Sequence, residues 1–297
     1  MEHLSKCPLC NNNKISKKFD CIDFIVSGKV FGIYQCDNCR LMFTNPRPDD
    51  IEINDYYKSD NYVVHAEKKN NIINYLFLVV RKISIKRKFE IVKKYDINKK
   101  ILDIGCGTGT FLAYCKNKGM EIAGIEPSEL ARNIALQKYK LNNIYSVKEF
   151  NFLHKNYYGI ITLWHVLEHV HNIDEYLNNI SNLLSKDGTL IIALPNPDSY
   201  DAYYYSNFWA AYDVPRHLYH FNKNVIENLL ANYNFNLIKV LPLKFDSYYI
   251  SMLSEKYKYG RIKLIKPFII GFISNLKARK KNNYSSLIYI FKKKDKE

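Results

Sequence analysis

A chain of 297 residues and 35.0 kDa, 47% hydrophobic, can bury one large core with a small appendage, and its formal net charge of +15 favours encounter with nucleic acid, an anionic membrane surface or an acidic small molecule. Seven cysteines are too few to staple a chain this long, and four of them stand as two C-x-x-C pairs, which speaks for metal rather than a disulfide scaffold. The longest apolar runs, 72–80 and 267–273, fall short of the roughly 20 residues of a membrane-spanning helix, and the opening MEHLSKCPLC lacks an apolar signal core, so the expected location is the cytoplasm.

The first segment, 1–50, carries Cys7, Cys10, Cys36 and Cys39. Two such knuckles can present four thiolates to one tetrahedral ion with no open position, so a small ribbon holding a structural zinc is expected, with an iron or metal-free ribbon as the alternative. Asn45-Pro46-Arg47-Pro48-Asp49-Asp50 cannot continue an element and marks a boundary. Residues 51–98 read as a helical lead-in, because Ile85, Phe89 and Val92 fall on one helical face among lysines and arginines. From Lys100 onward, within a third unit at 99–297, short apolar strands alternate with amphipathic helices, the pattern of βαβ units around a parallel sheet. Strands are expected at 101–104, 121–125, 144–147, 159–164, 189–194, 237–241 and 287–291, and helices at 109–117, 128–139, 173–184 and 223–232. Gly119 and Gly188 follow two of these helices as expected C-terminal caps. The fold class is therefore α/β, a seven-stranded doubly wound, Rossmann-like sheet with a small N-terminal ribbon.

The most informative residues are Asp103-Ile104-Gly105-Cys106-Gly107-Thr108-Gly109-Thr110-Phe111, where a buried strand turns into a helix. Glycines there let a ligand approach the backbone, beside the unpaired N–H groups of a helix start. A dinucleotide fingerprint needs G-x-G-x-x-G, whereas the third glycine here arrives one residue early. Glu126 ends the second strand about twenty residues on, where a carboxylate can accept from both hydroxyls of a ribose. On these residues the chain resembles the class I S-adenosylmethionine-dependent methyltransferases. The resemblance implies that Gly105, Cys106, Gly107 and Gly109 line the S-adenosylmethionine site, that Asp103 braces the loop and that Glu126 holds the ribose. It also makes Glu149 a candidate adenine contact.

Leu163-Trp164-His165-Val166-Leu167-Glu168-His169-Val170 contains H-x-x-E-H, which on a helix would be a zinc-peptidase motif. The histidines follow a strand directly, which argues against that reading. The run is similar to the fourth-strand segment of ubiquinone-biosynthesis-type methyltransferases, and the likeness implies that Trp164 and His165 border the methyl donor. His169 and His171 read equally well as hydrogen-bonded loop imidazoles. After the fifth strand, Tyr203, Tyr204, Tyr205, Trp209 and Tyr212 crowd a segment that must cross the carboxyl ends of the strands and so should roof an acceptor pocket. Pro215-Arg216-His217-Leu218-Tyr219-His220-Phe221 follows, in a W…PRHLxHF pattern similar to one found in a subgroup of bacterial methyltransferases. Arg216 can clamp an anionic acceptor, or it can anchor the loop by pairing with Asp213. His217 and His165 are the candidate bases for an acceptor hydroxyl.

Residues 261–281, apolar with basic flanks, can lie on an anionic membrane, although a position between the last two strands favours packing against the sheet. The expected activity is O-methylation of a small-molecule, lipid-linked or glycan acceptor. The ribbon also resembles those of deoxysugar C-methyltransferases, which keeps sugar-linked acceptors in view. One alternative is an RNA or protein methyltransferase docking through the ribbon and its charge, but the fourth strand lacks the Asn/Asp-Pro-Pro-aromatic loop usual for methylation of base nitrogens, so nucleic acid is the weaker partner. Another is a non-catalytic module that senses S-adenosylmethionine.

Overall fold

The computed structural model describes residues 1–57, 72–261 and 265–294, and the side chains of helix residues 72–78 lie outside that description. Parts of the expected lead-in at 51–98 and of the basic segment at 261–281 therefore fall outside the described residues.

Three strands open the chain: β1 (Ile15–Ile22), β2 (Val30–Cys36) and β3 (Met42–Thr44) form an antiparallel sheet. A short 3-10 turn, Glu52–Tyr57, leads toward helix α1 (Ile72–Tyr95). The units that follow are β4 (Lys100–Ile104), α2 (Thr110–Asn117), β5 (Glu121–Ile125), α3 (Glu129–Tyr139), β6 (Ile144–Tyr145) and β7 (Tyr158–Trp164). Then come α4 (Ile173–Leu183), β8 (Leu184–Pro195), α5 (Tyr200–Tyr205), β9 (Tyr219–His220), α6 (Lys223–Ala231) and β10 (Phe235–Pro242). Helices α7 (Asp246–Tyr259) and α8 (Ile265–Lys281) precede the last strand, β11 (Ser286–Lys293).

All seven expected core strands are present, in the order β10-β11-β8-β7-β4-β5-β6. The pairings from β8 to β6 are parallel, and β11 is inserted antiparallel between β8 and β10. Strand order reverses beside β4, and the crevice outside the carboxyl ends of β4 and β7 is the place where such a sheet receives ligands. Ile101, Leu102, Ile104, Ile160, Ile161 and Leu163 are fully buried, as strands covered on both faces must be.

Gly119, at φ +83 just past α2, takes the left-handed conformation of a helix stop. Gly188 does not act as a cap. Helix α4 ends five residues earlier, β8 has absorbed 184–188, and the left-handed residue in that bend is Asp187, at φ 59. What keeps position 188 small is crowding, since a Cβ there would lie 2.6 Å from Leu184 Cγ. The expected strand at 144–147 pairs only over β6, because Ser146 and Glu149 close a 3-10 turn immediately after it.

The small N-terminal sheet is completed from far along the chain. β9 pairs with β3 through Met42↔His220 and Phe43↔Tyr219, and Thr44 Oγ1 donates to the His217 carbonyl at 2.6 Å. Cys7, Cys36, Leu41 and Phe43 share one apolar cluster with Leu102, Leu163 and Leu194 of the large sheet. The aromatic segment expected to roof a pocket is mostly folded inward: Tyr205, Trp209 and Tyr212 are buried beside Phe31 and Ile33 of the small sheet, and only Tyr203 is fully turned outward. Trp209 Nε1 donates to Asp201, a fully buried carboxylate that also accepts from Ser274 and Ser285.

Candidate active site

The loop after β4 is built on three glycines, two of them crowded and one open. Gly105 (φ +71) would put a Cβ 2.4 Å from Val166 Cγ2, and Gly109 (φ +74) would put one 2.7 Å from Leu141 Cδ1, so both positions are fixed by backbone conformation and by packing. Gly107 (φ +54) has open space where a Cβ would stand, which makes it the point where a ligand can pass over the backbone. Gly105 and Cys106 donate to the Ile125 carbonyl, tying the loop to the end of β5. The loop thereby meets Glu126, whose Oε2 accepts from Gly107 N at 2.8 Å and whose Oε1 accepts from Ser128 N at 2.9 Å. Each oxygen keeps one lone pair for a further donor. Burial pushes the Glu126 carboxyl above its ordinary value, against the pull of these two N–H groups.

Asp103 is 2% exposed and accepts from Thr162 Oγ1 across the β4–β7 pairing; burial pushes it up to about 7. Sequence reasoning missed the cations above it. Lys88, on α1, stands 4.4 Å over the Trp164 ring, and burial lowers its pKa while the charges of Asp103 and Asp246 hold it up. Arg81, two turns earlier, donates to Thr110 Oγ1 at the start of α2. Only the seven-residue spacing of these two on one helix could have signalled them. Trp164 packs edge-on to Phe111, and its buried Nε1 has no hydrogen-bond partner among the described residues. Glu149 turns back to accept from Ser146 N and Oγ, so its side chain closes a local turn.

His165 sits at φ 58, a left-handed conformation unusual for a residue with a Cβ. Its backbone N–H donates to Ala193 O, and its ring bridges two carboxylates: Nε2 lies 3.2 Å from Asp246 Oδ2 and Nδ1 lies 3.5 Å from Glu168 Oε1. With 35% of its side chain open, it is the histidine of this group that faces the cleft. Burial alone would depress it, but the carboxylates of Asp246 and Glu168 on either side of the ring outweigh that and raise it to about 9. Glu168, 1% exposed, resists the upward push of burial and falls to about 2, because the His165 ring stands beside it and the His217 and His169 rings lie close. Asp246 came from a helix that the sequence reading did not place.

The other histidines of the two motifs are turned further inward. His169 Nδ1 lies 2.9 Å from both Tyr57 OH and the Arg216 carbonyl, and burial with the nearby His217 lowers it to about 4. His171 bridges the Pro48 carbonyl and Asp50. His217, 8% exposed, places Nδ1 2.9 Å from Ala211 O. Ligand atoms of Glu168, His169 and His217 come within 4.8 Å of one another, near enough to chelate a cation, although the Glu168 charge is already balanced by His165. H-x-x-E-H here runs from a strand end into the 3-10 turn Leu167–His169, so it does not form the helical metal face of a peptidase.

At Arg216, where the sequence allowed either an acceptor clamp or a loop anchor paired with Asp213, the contacts are those of the anchor. It is 1% exposed; Nε contacts both Asp213 oxygens at 3.1 Å, Nη2 contacts Asp213 at 2.6 Å and Asp23 at 3.1 Å, and Nη1 donates to the Tyr56 carbonyl at 3.3 Å. The geometry is that of the loop anchor, with no face left toward an acceptor.

The four N-terminal cysteines do converge. Cys7 and Cys39 sulfurs lie 3.5 Å apart, as do those of Cys10 and Cys36. A tetrahedron with metal–sulfur bonds of about 2.3 Å has edges of about 3.8 Å, so the cluster fits such an ion with slight expansion. The two knuckles repeat one geometry: Asn11 N donates to Cys7 O and Arg40 N to Cys36 O, with Asn11 (φ 54) and Arg40 (φ 64) both left-handed. Four cysteine ligands, two from each knuckle, can hold a metal ion.

A family model described as a methyltransferase domain matches residues 81–240, more than half of the chain. A ubiquinone biosynthesis O-methyltransferase of Pelagibacter ubique is 34% identical over 105 residues, 33% of this chain and 43% of that protein. The chain thus spans less than half the length of this relative. Among solved structures, magnesium protoporphyrin IX methyltransferase from Synechocystis PCC 6803 with bound SAH superposes with a TM-score of 0.54 at 14% identity, over 83% of this chain and 100% of that one. A SAM-dependent methyltransferase from Archaeoglobus fulgidus gives 0.50 at 20% identity, over 72% of this chain and 94% of that one. These two likenesses concern the fold.

Proposed function

The chain belongs to the methyltransferase-domain family, and from that premise we propose that it transfers the methyl group of S-adenosylmethionine to an oxygen of a small-molecule, lipid-linked or glycan acceptor. The observation that carries this reading is the pairing of an unobstructed Gly107 with a buried Glu126 carboxylate 2.8 Å away, a cradle for an adenosyl ribose. Gly105, Cys106 and Gly109 shape that cradle, Asp103 braces it from below, and Lys88 supplies a cation for the donor's carboxylate. Trp164 forms its wall. When bound, the donor supplies a methyl group on a cationic sulfonium that is open to in-line displacement, so alignment alone can contribute about 7–11 kcal/mol. His165, at the cleft and oriented by Asp246, is positioned to take the acceptor proton, while His217 lies buried behind it and acts on orientation.

Calorimetry with S-adenosylhomocysteine and, separately, with a nicotinamide dinucleotide tests the donor. Heat with the first and none with the second is expected, and the reverse result would discard the reading. In Glu126→Ala, two charge-assisted hydrogen bonds of about 1.5–3 kcal/mol each are lost, so affinity for S-adenosylhomocysteine should fall at least about 100-fold. Incubation with labelled S-adenosylmethionine and fractionated cell extract then identifies the acceptor class; label appearing only in RNA or protein would favour the docking alternative.

For the cysteine cluster we propose zinc, since an all-thiolate tetrahedron suits that ion and leaves no catalytic position. Elemental analysis should give one zinc per chain in the intact protein. Cys36→Ser should lose it and melt the small sheet first, and a protein that keeps full metal content in that variant would contradict the assignment.

A further inference from the structure

Helix α8 has apolar residues on both of its faces. Pro267, Ile270, Gly271, Ser274 and Ala278 are buried, with Gly271 pressed so close to Tyr248 of α7 that a Cβ would lie 2.9 Å from its ring. On the opposite face, where a helix at the edge of a soluble protein carries polar side chains, stand Ile265, Phe268, Ile269, Phe272 and Leu276, with 77%, 63%, 48%, 50% and 40% of their surface in solvent. At ~100° per residue these five fall within one stripe of about 100°. Tyr248 of α7 packs beside Phe268; Tyr249 on the same helix and Phe245 just before it are 43% and 40% exposed. The sequence favoured packing against the sheet; the buried side instead packs against α7 and α5, and the other side is left in solvent.

Charge identifies what the other side meets. Residues 244–281 contain ten basic and two acidic residues. Both acids are engaged: Asp246 with His165, and Glu255, fully buried, with Lys266. The apolar stripe runs into Arg279, Lys280 and Lys281 in the last turn of α8. An apolar stripe flanked by unbalanced cations is the arrangement of a helix lying in the interface of an anionic bilayer, its aromatic residues among the acyl chains and its lysines among the headgroups.

We propose that α8, supported by α7, docks this protein on an anionic lipid surface. The first residue of α7 is Asp246, the partner of His165, so the docked pair would set the active-site cleft close to the headgroup layer. This concerns where the enzyme stands, and its test does not depend on the acceptor reading.

The test is co-sedimentation of the full chain with phosphatidylcholine vesicles and with vesicles that also contain phosphatidylglycerol. Binding to the anionic vesicles alone is expected, weakened by salt through screening of the lysines. Phe268→Glu/Phe272→Glu should abolish it, and Arg279→Ala/Lys280→Ala/Lys281→Ala should weaken it by about fivefold per charge removed. All of these side chains are on the surface, and unchanged binding of S-adenosylhomocysteine verifies that each variant is folded. Equal binding by Phe268→Glu/Phe272→Glu, or no binding of the wild type to anionic vesicles, overturns the proposal. So does sedimentation as a dimer that the same substitutions dissociate, because the stripe would then be covered by a second copy.

Discussion

Replacing Arg216 by methionine should lower the stability of the protein by about 3–5 kcal/mol, the range for removing one partner from a buried ionic network. Three positions meet on this guanidinium: Asp213 beside it, Asp23 in the loop between β1 and β2, and the Tyr56 carbonyl at the end of the early 3-10 turn. Asp23 is 1% exposed and has local support from Ser27 and the N–H groups of Ile25 and Val26, so it does not depend on Arg216 alone. Asp213 has less to fall back on, and it is held at φ 34. Methionine fills similar volume, so the loss measures charge and hydrogen bonds more than packing. Arg216→Met/Asp213→Asn should recover part of the loss, because the stranded charge is gone. Urea unfolding reads all three proteins. If Arg216→Met instead unfolds like the wild type and raises only the KM for acceptor, Arg216 touches substrate, and the anchoring role drawn from its contacts is wrong.

That one residue shows where sequence reading stops. A paired arginine and a substrate clamp look alike in a sequence when Asp213 stands three residues away; the deciding partner, Asp23, is 193 residues distant. The same limit explains Asp246. Its helix, α7, has no clean apolar period, because Ser247, Ser251 and Ser254 occupy the buried face, Ser247 against the Gly271 carbonyl of α8 and Ser254 against Ala210. What was legible was local: the strand-turn-helix glycine loop, the acid closing β5, and the two C-x-x-C knuckles. β9 was not, since two residues cannot display alternation, and its partner β3 lies nearly 180 residues earlier. The aromatic segment misled for a physical reason. Its position beyond the strand ends suggested a pocket roof, but the small sheet offered a second surface to pack on, and Trp209 and Tyr212 were drawn into it.

The pH dependence of turnover should follow His165. Its ring lies between Asp246 and Glu168, and the two carboxylates together hold its proton up to about 9. Only the neutral imidazole can accept a proton from an acceptor hydroxyl, so the rate should rise with pH and level off near 9. Asp246→Asn removes one of the two groups that raise the pKa, so the rising limb must move to lower pH, toward the ordinary histidine value of about 6.5. Glu168 is fully buried and keeps Nδ1 oriented, so the shift should be partial. His165→Asn is the appropriate deletion, because asparagine tolerates the left-handed backbone found there and removes the base without adding strain. Loss of a general base costs about 10²–10⁴-fold in kcat, and binding of S-adenosylhomocysteine should be unaffected. The imidazole can also be followed directly by NMR titration of its ring proton, with no acceptor present. A His165 that titrates near its ordinary value, or a His165→Asn enzyme that turns over like the wild type, would remove the proton-accepting role. It would leave alignment in the cleft as the whole of the catalysis. Strain of about 1–3 kcal/mol held in a backbone conformation of this kind is characteristic of residues whose side chain must be aimed, and at His165 it holds the imidazole between Asp246 and Glu168.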